Sequence, residues 1–203
     1  GETYEKERKN RGNNMNKKPI IIGLDMDDTI TTFLEIVVDE YNDLYGTNHN
    51  VEEITTWEIP PQFEHGLFSV FDKREHVILK CPLKEYALET IKYWYSLGFE
   101  IVIVTGVANT QSYIDKLRLL DKVGLTPYIK EVIPSKHKYL INCDIFVDDN
   151  VDYLTKWQEY HPEGRAYLFN ARHNQKCNDF CRVNNWKELR YLVDIYLRFH
   201  GKI

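Results

Sequence analysis

The sequence is short of several things, and each shortage excludes something. It has no apolar run approaching the roughly 20 residues that a membrane-spanning helix needs. Its amino-terminal stretch mixes basic and acidic residues without the apolar core of a secretory signal. These absences give a membrane no role and point to the cytoplasm. There is no excess of positive charge either: 26 Lys and Arg stand against 31 Asp and Glu, a net charge of −5. Polymeric nucleic acid, which usually demands a basic face, is therefore set aside as the main ligand, whereas a small anion held by a few local groups is not. Cysteine is sparse, with Cys81, Cys143, Cys177 and Cys181 scattered along the chain, and in a reducing compartment these are expected as free thiols. No internal repeat is visible. The 203 residues suffice for one domain with a real core and a small insertion.

What is present centres on Ile20-Ile21-Ile22-Gly23-Leu24-Asp25-Met26-Asp27-Asp28-Thr29. A short β-branched run without charge reads as a strand buried on both faces, in the middle of a parallel sheet. It runs into three carboxylates, which are too costly to desolvate unpaired, so the strand must end there and open into a polar site. Around it the chain alternates. Helices are expected over 33–45, 83–97, 111–123, 150–160 and 186–199, and further strands over 99–105, 128–133, 144–147 and 165–169. That alternation predicts an α/β fold, a Rossmann-like parallel sheet with helices on both faces. Residues 1–18 are polar and aperiodic and read as a mobile tail. Residues 33–80, aromatic and without a long strand pattern, read as a small helical cap inserted after the first strand. That leaves 19–32 and 81–203 as the core domain.

In a parallel sheet the carboxyl ends of the strands meet on one edge. The first strand delivers Asp25 and Asp27, the second Thr105-Gly106, and a later one Asp148-Asp149, with the basic loop Pro134-Ser135-Lys136-His137-Lys138 between the last two. Carboxylates from separate strands suit a hard divalent cation, Mg²⁺, and a lysine and a hydroxyl suit phosphate oxygens. The metal is assigned to Asp25, Asp27, Asp148 and Asp149. Asp25, closest to the strand, is the expected nucleophile toward phosphorus. Asp27, beside another negative charge, is expected to have a raised pKa and to act as general acid and base. Phe33, Trp57, Phe68 and Phe71 are candidates for stacking on a base, although any of them apart from Phe33 reads equally as cap core. His173, Cys177 and Cys181 do not have the spacing of a zinc knuckle.

Asp25-x-Asp27-x-Thr29, Thr105-Gly106, a lysine and Asp148-Asp149 together resemble the four-motif pattern of the haloacid dehalogenase-like (HAD) superfamily of phosphotransferases. Lys138, ten residues before Asp148, has the spacing of the phosphate-binding lysine in the 5′(3′)-deoxyribonucleotidase branch, which favours it over Lys136. Phe33, eight residues past Asp25, matches an aromatic that lines the nucleotide pocket of that branch. Leu79-Lys80-Cys81-Pro82-Leu83, Leu168-Phe169-Asn170-Ala171-Arg172-His173-Asn174 and Arg182-Val183-Asn184-Asn185-Trp186 resemble its later segments. The resemblance implies a Mg²⁺-dependent phosphomonoesterase that passes through an aspartyl-phosphate on Asp25, with Thr105, Gly106 and Lys138 on the phosphate and a nucleoside 5′-monophosphate as small-molecule substrate. A sugar phosphate is the rival substrate, and a phospho-ligand or protein binding module is the non-enzymatic rival. A hydrolytic dehalogenase would not keep Asp27. Oligomeric state, a homodimer included, is left open. Two residues depart from the pattern: Asp28 replaces a glycine, expected to be tolerated at a solvent-facing turn, and Gly106 replaces a serine.

Overall fold

Alternate residues of the first strand feed opposite faces of one sheet, and that alternation builds the molecule. The computed structural model describes residues 18–203 apart from 57 and 59. Six parallel strands, β1 Ile21–Leu24, β2 Glu100–Thr105, β3 Glu131–Pro134, β4 Ile145–Asp148, β5 Arg165–Phe169 and β6 Cys181–Val183, lie in the order β3-β2-β1-β4-β5-β6. Between and after them run α1 Leu34–Tyr45, α2 Val70–Lys73, α3 Ala87–Ser96, α4 Thr110–Lys122, α5 Val151–Tyr160 and α6 Trp186–Phe199. The expected α/β parallel fold is found. Among the described residues no helix is long and apolar enough to cross a membrane, and all four cysteines are free thiols.

On one face Ile22, Leu24, Ile103 and Val147 pack with Ile91 and Trp94 of α3 and with Trp186 and Val193 of α6. On the other, Val104, Phe146 and Leu168 pack with Leu154 and Trp157 of α5. Gly23 sits where the second face is tightest: a Cβ there would lie 2.7 Å from Phe146 Cδ2 and 2.9 Å from Cys143 Sγ. The chain winds from β1 through β2 to β3 on one side and from β4 through β5 to β6 on the other. Its direction reverses between β1 and β4, and in open α/β sheets that switch point is where a crevice forms.

The described residues of 33–80 contain short helical segments and no strand. Leu34, Val37, Tyr41, Ile54, Phe63, Leu67 and Val70 form a separate apolar cluster there. α1 stops at Gly46, whose left-handed backbone (φ 66°) lets its N–H bond back to Asn42 O. The tail expected over 1–18 lies outside the described residues except for Lys18, and Trp57 lies outside them too.

Two boundaries differ from expectation by three residues or more, and one strand was not expected, each for a local reason. The helix expected from Leu83 begins only at Ala87, because Leu83 bridges to Thr31 and Lys84 N donates to Ile30 O, so this segment is tied to the acidic loop first. β3 begins at Glu131 rather than Tyr128, because Pro127 sits in a 3₁₀ turn over Thr126–Tyr128. β6, three residues long on the sheet edge, is too short to show a period and was expected as loop.

Candidate active site

The acidic loop is an extension of β1 folded tightly back on itself. Asp25 N still donates to Val147 O at 2.8 Å, which keeps Asp25 beside the end of β4. The chain then turns: Met26 O accepts from Ile30 N, Thr31 N and the Thr31 hydroxyl. From the neighbouring strand come Asp148, its last residue, and Asp149. Asn150 N donates to Asp148 Oδ1 at 2.9 Å, and the Asn150 side chain caps α5 by accepting from Tyr153 N.

These ends bring three buried carboxylates together. One oxygen each of Asp25, Asp148 and Asp149 lie within 4.8 Å of one another. Lys138, from a 3₁₀ turn ahead of β4, donates to Asp25 Oδ1 at 2.6 Å and to Asp148 Oδ2 at 2.7 Å, and its Nζ lies 4.7 Å over the Tyr153 ring. Burial works against the Lys138 charge, but Asp148 and Asp25 outweigh it and hold the pKa above the ordinary value. Burial pushes Asp148 well up, with Lys138 opposing and Asp25 adding to the rise. Asp149 is raised in the same way, by burial first and then by Asp25 and Asp28. His173 Nε2 lies 2.9 Å from Asp149 Oδ2. When all three acidic groups are ionised, one ammonium leaves the cluster with a surplus of two negative charges, and its donors are hard oxygens, so the residues present fit a divalent cation.

Asp27 is not one of the three residues of that cluster. Its carboxylate is instead engaged by Lys116 of α4, whose Nζ donates to Asp27 Oδ2 at 2.5 Å and to Thr105 Oγ1 at 2.7 Å. The Asp27 pKa is raised, as expected, but loss of hydration around the carboxylate is the main cause and the Asp25 charge a lesser one, with Lys116 opposing both. Thr105 is fully buried and does not line the cavity, so its hydroxyl meets the site through Lys116. Gly106 does line it, as do Lys138 and the exposed Lys136.

A correction concerns Asp28, which is 6% exposed rather than solvent-facing. Its backbone is left-handed (φ 55°), the conformation that a glycine adopts freely. Its carboxylate accepts from Phe33 N at 2.9 Å and Leu34 N at 3.2 Å, at the start of α1. Burial raises its pKa to about 6 against those hydrogen bonds.

The carboxylates, Lys138 and Lys116 border a cavity of about 300 Å³ whose apolar side is Phe33, Phe68, Phe71 and Ile78. The Phe33 and Phe71 rings are nearly parallel (7°) with centroids 6.0 Å apart, and Phe68 lies 6.5 Å from Phe33. The structure thus gathers Asp25, Asp27, Gly106, Lys138, Asp148, Asp149, Phe33, Phe68 and Phe71 around one cavity. The residues that sequence reasoning missed are Lys116, Ser112 and Tyr153. Lys116 left a signal: it falls with Ser112, Leu119 and Leu120 on the buried stripe of α4, where a lysine is out of place. His173, Cys177 and Cys181 form no group able to hold a metal among the described residues.

The fold is that of solved hydrolases of the HAD superfamily. A HAD family hydrolase from Deinococcus radiodurans R1 with bound phosphate and sodium has a TM-score of 0.62 at 14% identity, covering 92% of this chain and 99% of that one. A HAD-hydrolase from Bacillus subtilis bound to magnesium has a TM-score of 0.57 at 13% identity, covering 88% of this chain and all of that one, 100%. More narrowly, residues 18–199 match the model of the family described as 5′ nucleotidase, deoxy (pyrimidine), cytosolic type C protein, and the chain belongs to that family. A protein named 5′(3′)-deoxyribonucleotidase from Clostridium acetobutylicum is 26% identical over 184 residues, 89% of this chain and 97% of the relative. Another of that name from Bacillus subtilis is 24% identical over 171 residues, 83% of this chain and 95% of the relative. The protein is accordingly a phosphomonoester hydrolase of the nucleotidase type.

Proposed function

We propose that this protein hydrolyses nucleoside 5′-monophosphates, deoxyribonucleotides foremost, with Asp25 as nucleophile, Asp27 as general acid and base, and Mg²⁺ as its metal. The observation that carries the reading is a single cavity bordered by a three-carboxylate cluster, a buried lysine and three phenylalanine rings whose planes lie within 25° of one another. A phosphate and a flat heterocycle are the two ends of a nucleotide, and base stacking on an aromatic ring is worth about 1–3 kcal/mol. Relatives named for deoxyribonucleotides support the substrate class.

Asp25, Asp148 and Asp149 would hold the metal, which when bound withdraws charge from the phosphoryl oxygens. Lys138 orients the Asp25 carboxylate through its Oδ1 and offers positive charge to the phosphate. Asp25 attacks phosphorus, the ester P–O bond breaks, and Asp27 delivers a proton to the leaving oxygen. Water then attacks the aspartyl-phosphate while Asp27 takes its proton, releasing inorganic phosphate and restoring Asp25. The raised pKa of Asp27 suits a group that must hold a proton and give it up in one cycle. Residues 33–80 act as the cap that reads the leaving group, with Phe33 as its stacking surface.

The test is phosphate release from a panel of nucleoside monophosphates and sugar phosphates, with Mg²⁺ and with EDTA, using Asp25→Asn as the blank. The expected result is Mg²⁺-dependent release, greatest on deoxyribonucleotides and abolished in the variant. Release from sugar phosphates alone discards the nucleotide, normal turnover by Asp25→Asn removes the covalent step, and no release from any substrate leaves a binding module.

A further inference from the structure

One charged group bordering the cavity has no part in the chemistry above. Lys116 has 2% of its side chain exposed, yet its ammonium ends at Asp27, which keeps 27% of its own exposed toward the cavity. Its position is set by the fold rather than by the pair itself. Asn109 caps α4 by accepting from Ser112 N at 2.8 Å, and the Ser112 hydroxyl takes the N–H groups of Ala108 and Asn109. Leu119 and Leu120 anchor the same helix in the core. Thr105 Oγ1, at the end of β2, receives a second Lys116 hydrogen bond, so the ammonium is held from two sides before it reaches Asp27. It also lies 5.8 Å over the Phe33 ring.

We propose that Lys116 is a positioning residue for the acid/base Asp27. It binds carboxylate oxygen Oδ2 and so leaves Oδ1 as the oxygen that serves the leaving group, while its contact with Phe33 sets that oxygen at a constant distance from the stacking surface. Two features favour this over a purely structural lysine. A free carboxylate on a loop would sample several rotamers, and an error of about 1 Å at a proton-transfer group costs on the order of 100-fold in rate. Further, the Thr105 hydroxyl accepts from Lys116 and Thr105 is not among the residues that line the cavity, so this side chain acts on the site through the lysine.

The inference rests on Asp27 being the acid and base, and the experiment separates the two. Values of kcat/KM are measured on a nucleoside monophosphate, whose leaving alkoxide needs a proton, and on p-nitrophenyl phosphate, whose leaving group does not. Asp27→Asn is expected to lose rate on the nucleotide and to keep most of it on p-nitrophenyl phosphate. Lys116→Met is expected to show the same bias, with a loss on the order of 10- to 100-fold on the nucleotide alone. Inhibition by inorganic phosphate should be unchanged, and Lys116→Arg, which can still pair with Asp27, should recover part of the rate. Thr105→Val keeps the ion pair but loosens the lysine, so it should show a weaker version of the bias and decides the matter should Lys116→Met not fold. Equal losses on both substrates in the Lys116 and Thr105 variants, with Asp27→Asn still selective, overturn the proposal. Weakened phosphate inhibition in Lys116→Met overturns it in favour of direct phosphate binding. Loss of kcat/KM on both substrates by Asp27→Asn overturns instead the reading of Asp27 on which it stands, whereas a fall in kcat alone on p-nitrophenyl phosphate is what loss of the base for aspartyl-phosphate hydrolysis gives.

Discussion

Replacing Lys138 by methionine tests whether the three carboxylates share one counter-charge. The ammonium bonds two of them at 2.6 and 2.7 Å, and none of Lys138, Asp25 or Asp148 has more than 6% of its side chain exposed. Methionine keeps all but the last atom of the side chain's length and removes the charge, so the main loss is electrostatic. Removing one partner of a buried ion pair costs about 3–5 kcal/mol, because the other charge is left without compensation. A bound divalent cation supplies the missing charge, and saturation at 100 times its Kd stabilises the folded state by about 2.7 kcal/mol. Urea unfolding followed by the fluorescence of the four tryptophans is expected to show a loss of about 3–5 kcal/mol for the variant in EDTA at pH 8. In Mg²⁺ that loss should be smaller, because the variant's surplus charge binds the cation more tightly. It should shrink at pH 5 as well. Burial already holds Asp148 and Asp149 above the ordinary 3.8, so the folded state keeps protons there that the unfolded state releases, and stability falls as pH rises. Without Lys138 that fall steepens. An equal loss in EDTA and in Mg²⁺, at both pH values, would refute the shared counter-charge. Phosphatase activity should be lost under every condition.

Asp28→Asn keeps an oxygen that accepts from Phe33 and Leu34 and tolerates the left-handed backbone, but it removes a carboxyl whose pKa burial raises from 3.8 to about 6. A shift of about two units corresponds to about 3 kcal/mol. That stability is present below pH 3.8 and lost as pH rises through about 6. In EDTA the variant should therefore show a flatter decline between pH 4 and 7, and a decline as steep as the parent's would contradict the assignment. Gly106→Ser puts a hydroxyl where a Cβ meets nothing within 4 Å. One added hydrogen bond to a charged phosphate, about 1 kcal/mol net, should lower KM roughly 3- to 10-fold with the fold unchanged, and an unchanged or higher KM would show that this wall does not touch phosphate.

The sequence was most readable where physics allows few alternatives. An uncharged β-branched run ending in carboxylates has to be a buried strand opening into a polar site, and β1 and β4 are both of that kind. Helices bounded by clear caps were legible too, and α6 and β5 begin and end where expected. Contacts between segments far apart in the chain were harder. Lys116 meets Asp27 across 89 residues and Lys138 meets Asp25 across 113. The second was found through a spacing shared with a known family, while the first had only a lysine on the buried stripe of α4 to mark it. Leu83 and Lys84 carry helical pattern but are captured by Thr31 and Ile30, a tertiary pairing that overrides local propensity.

Asp28 shows why a departure from a family pattern need not be a loss. A non-glycine residue in the left-handed region costs about 1–2 kcal/mol, which glycine avoids. In return its carboxyl group takes the N–H groups of Phe33 and Leu34, two of the orphan donors at the start of α1 that would otherwise lack a partner. The position adjoins Asp27 on one side and, through those bonds, fixes Phe33 on the other. Trp186 Nε1 donates to Thr29 O, and Lys84 N to Ile30 O, so the same short loop is fastened to α6 and to the segment leaving the cap. The acid/base candidate and the first ring of the aromatic surface therefore belong to one hydrogen-bonded unit, in which glycine would supply the turn but not the connection.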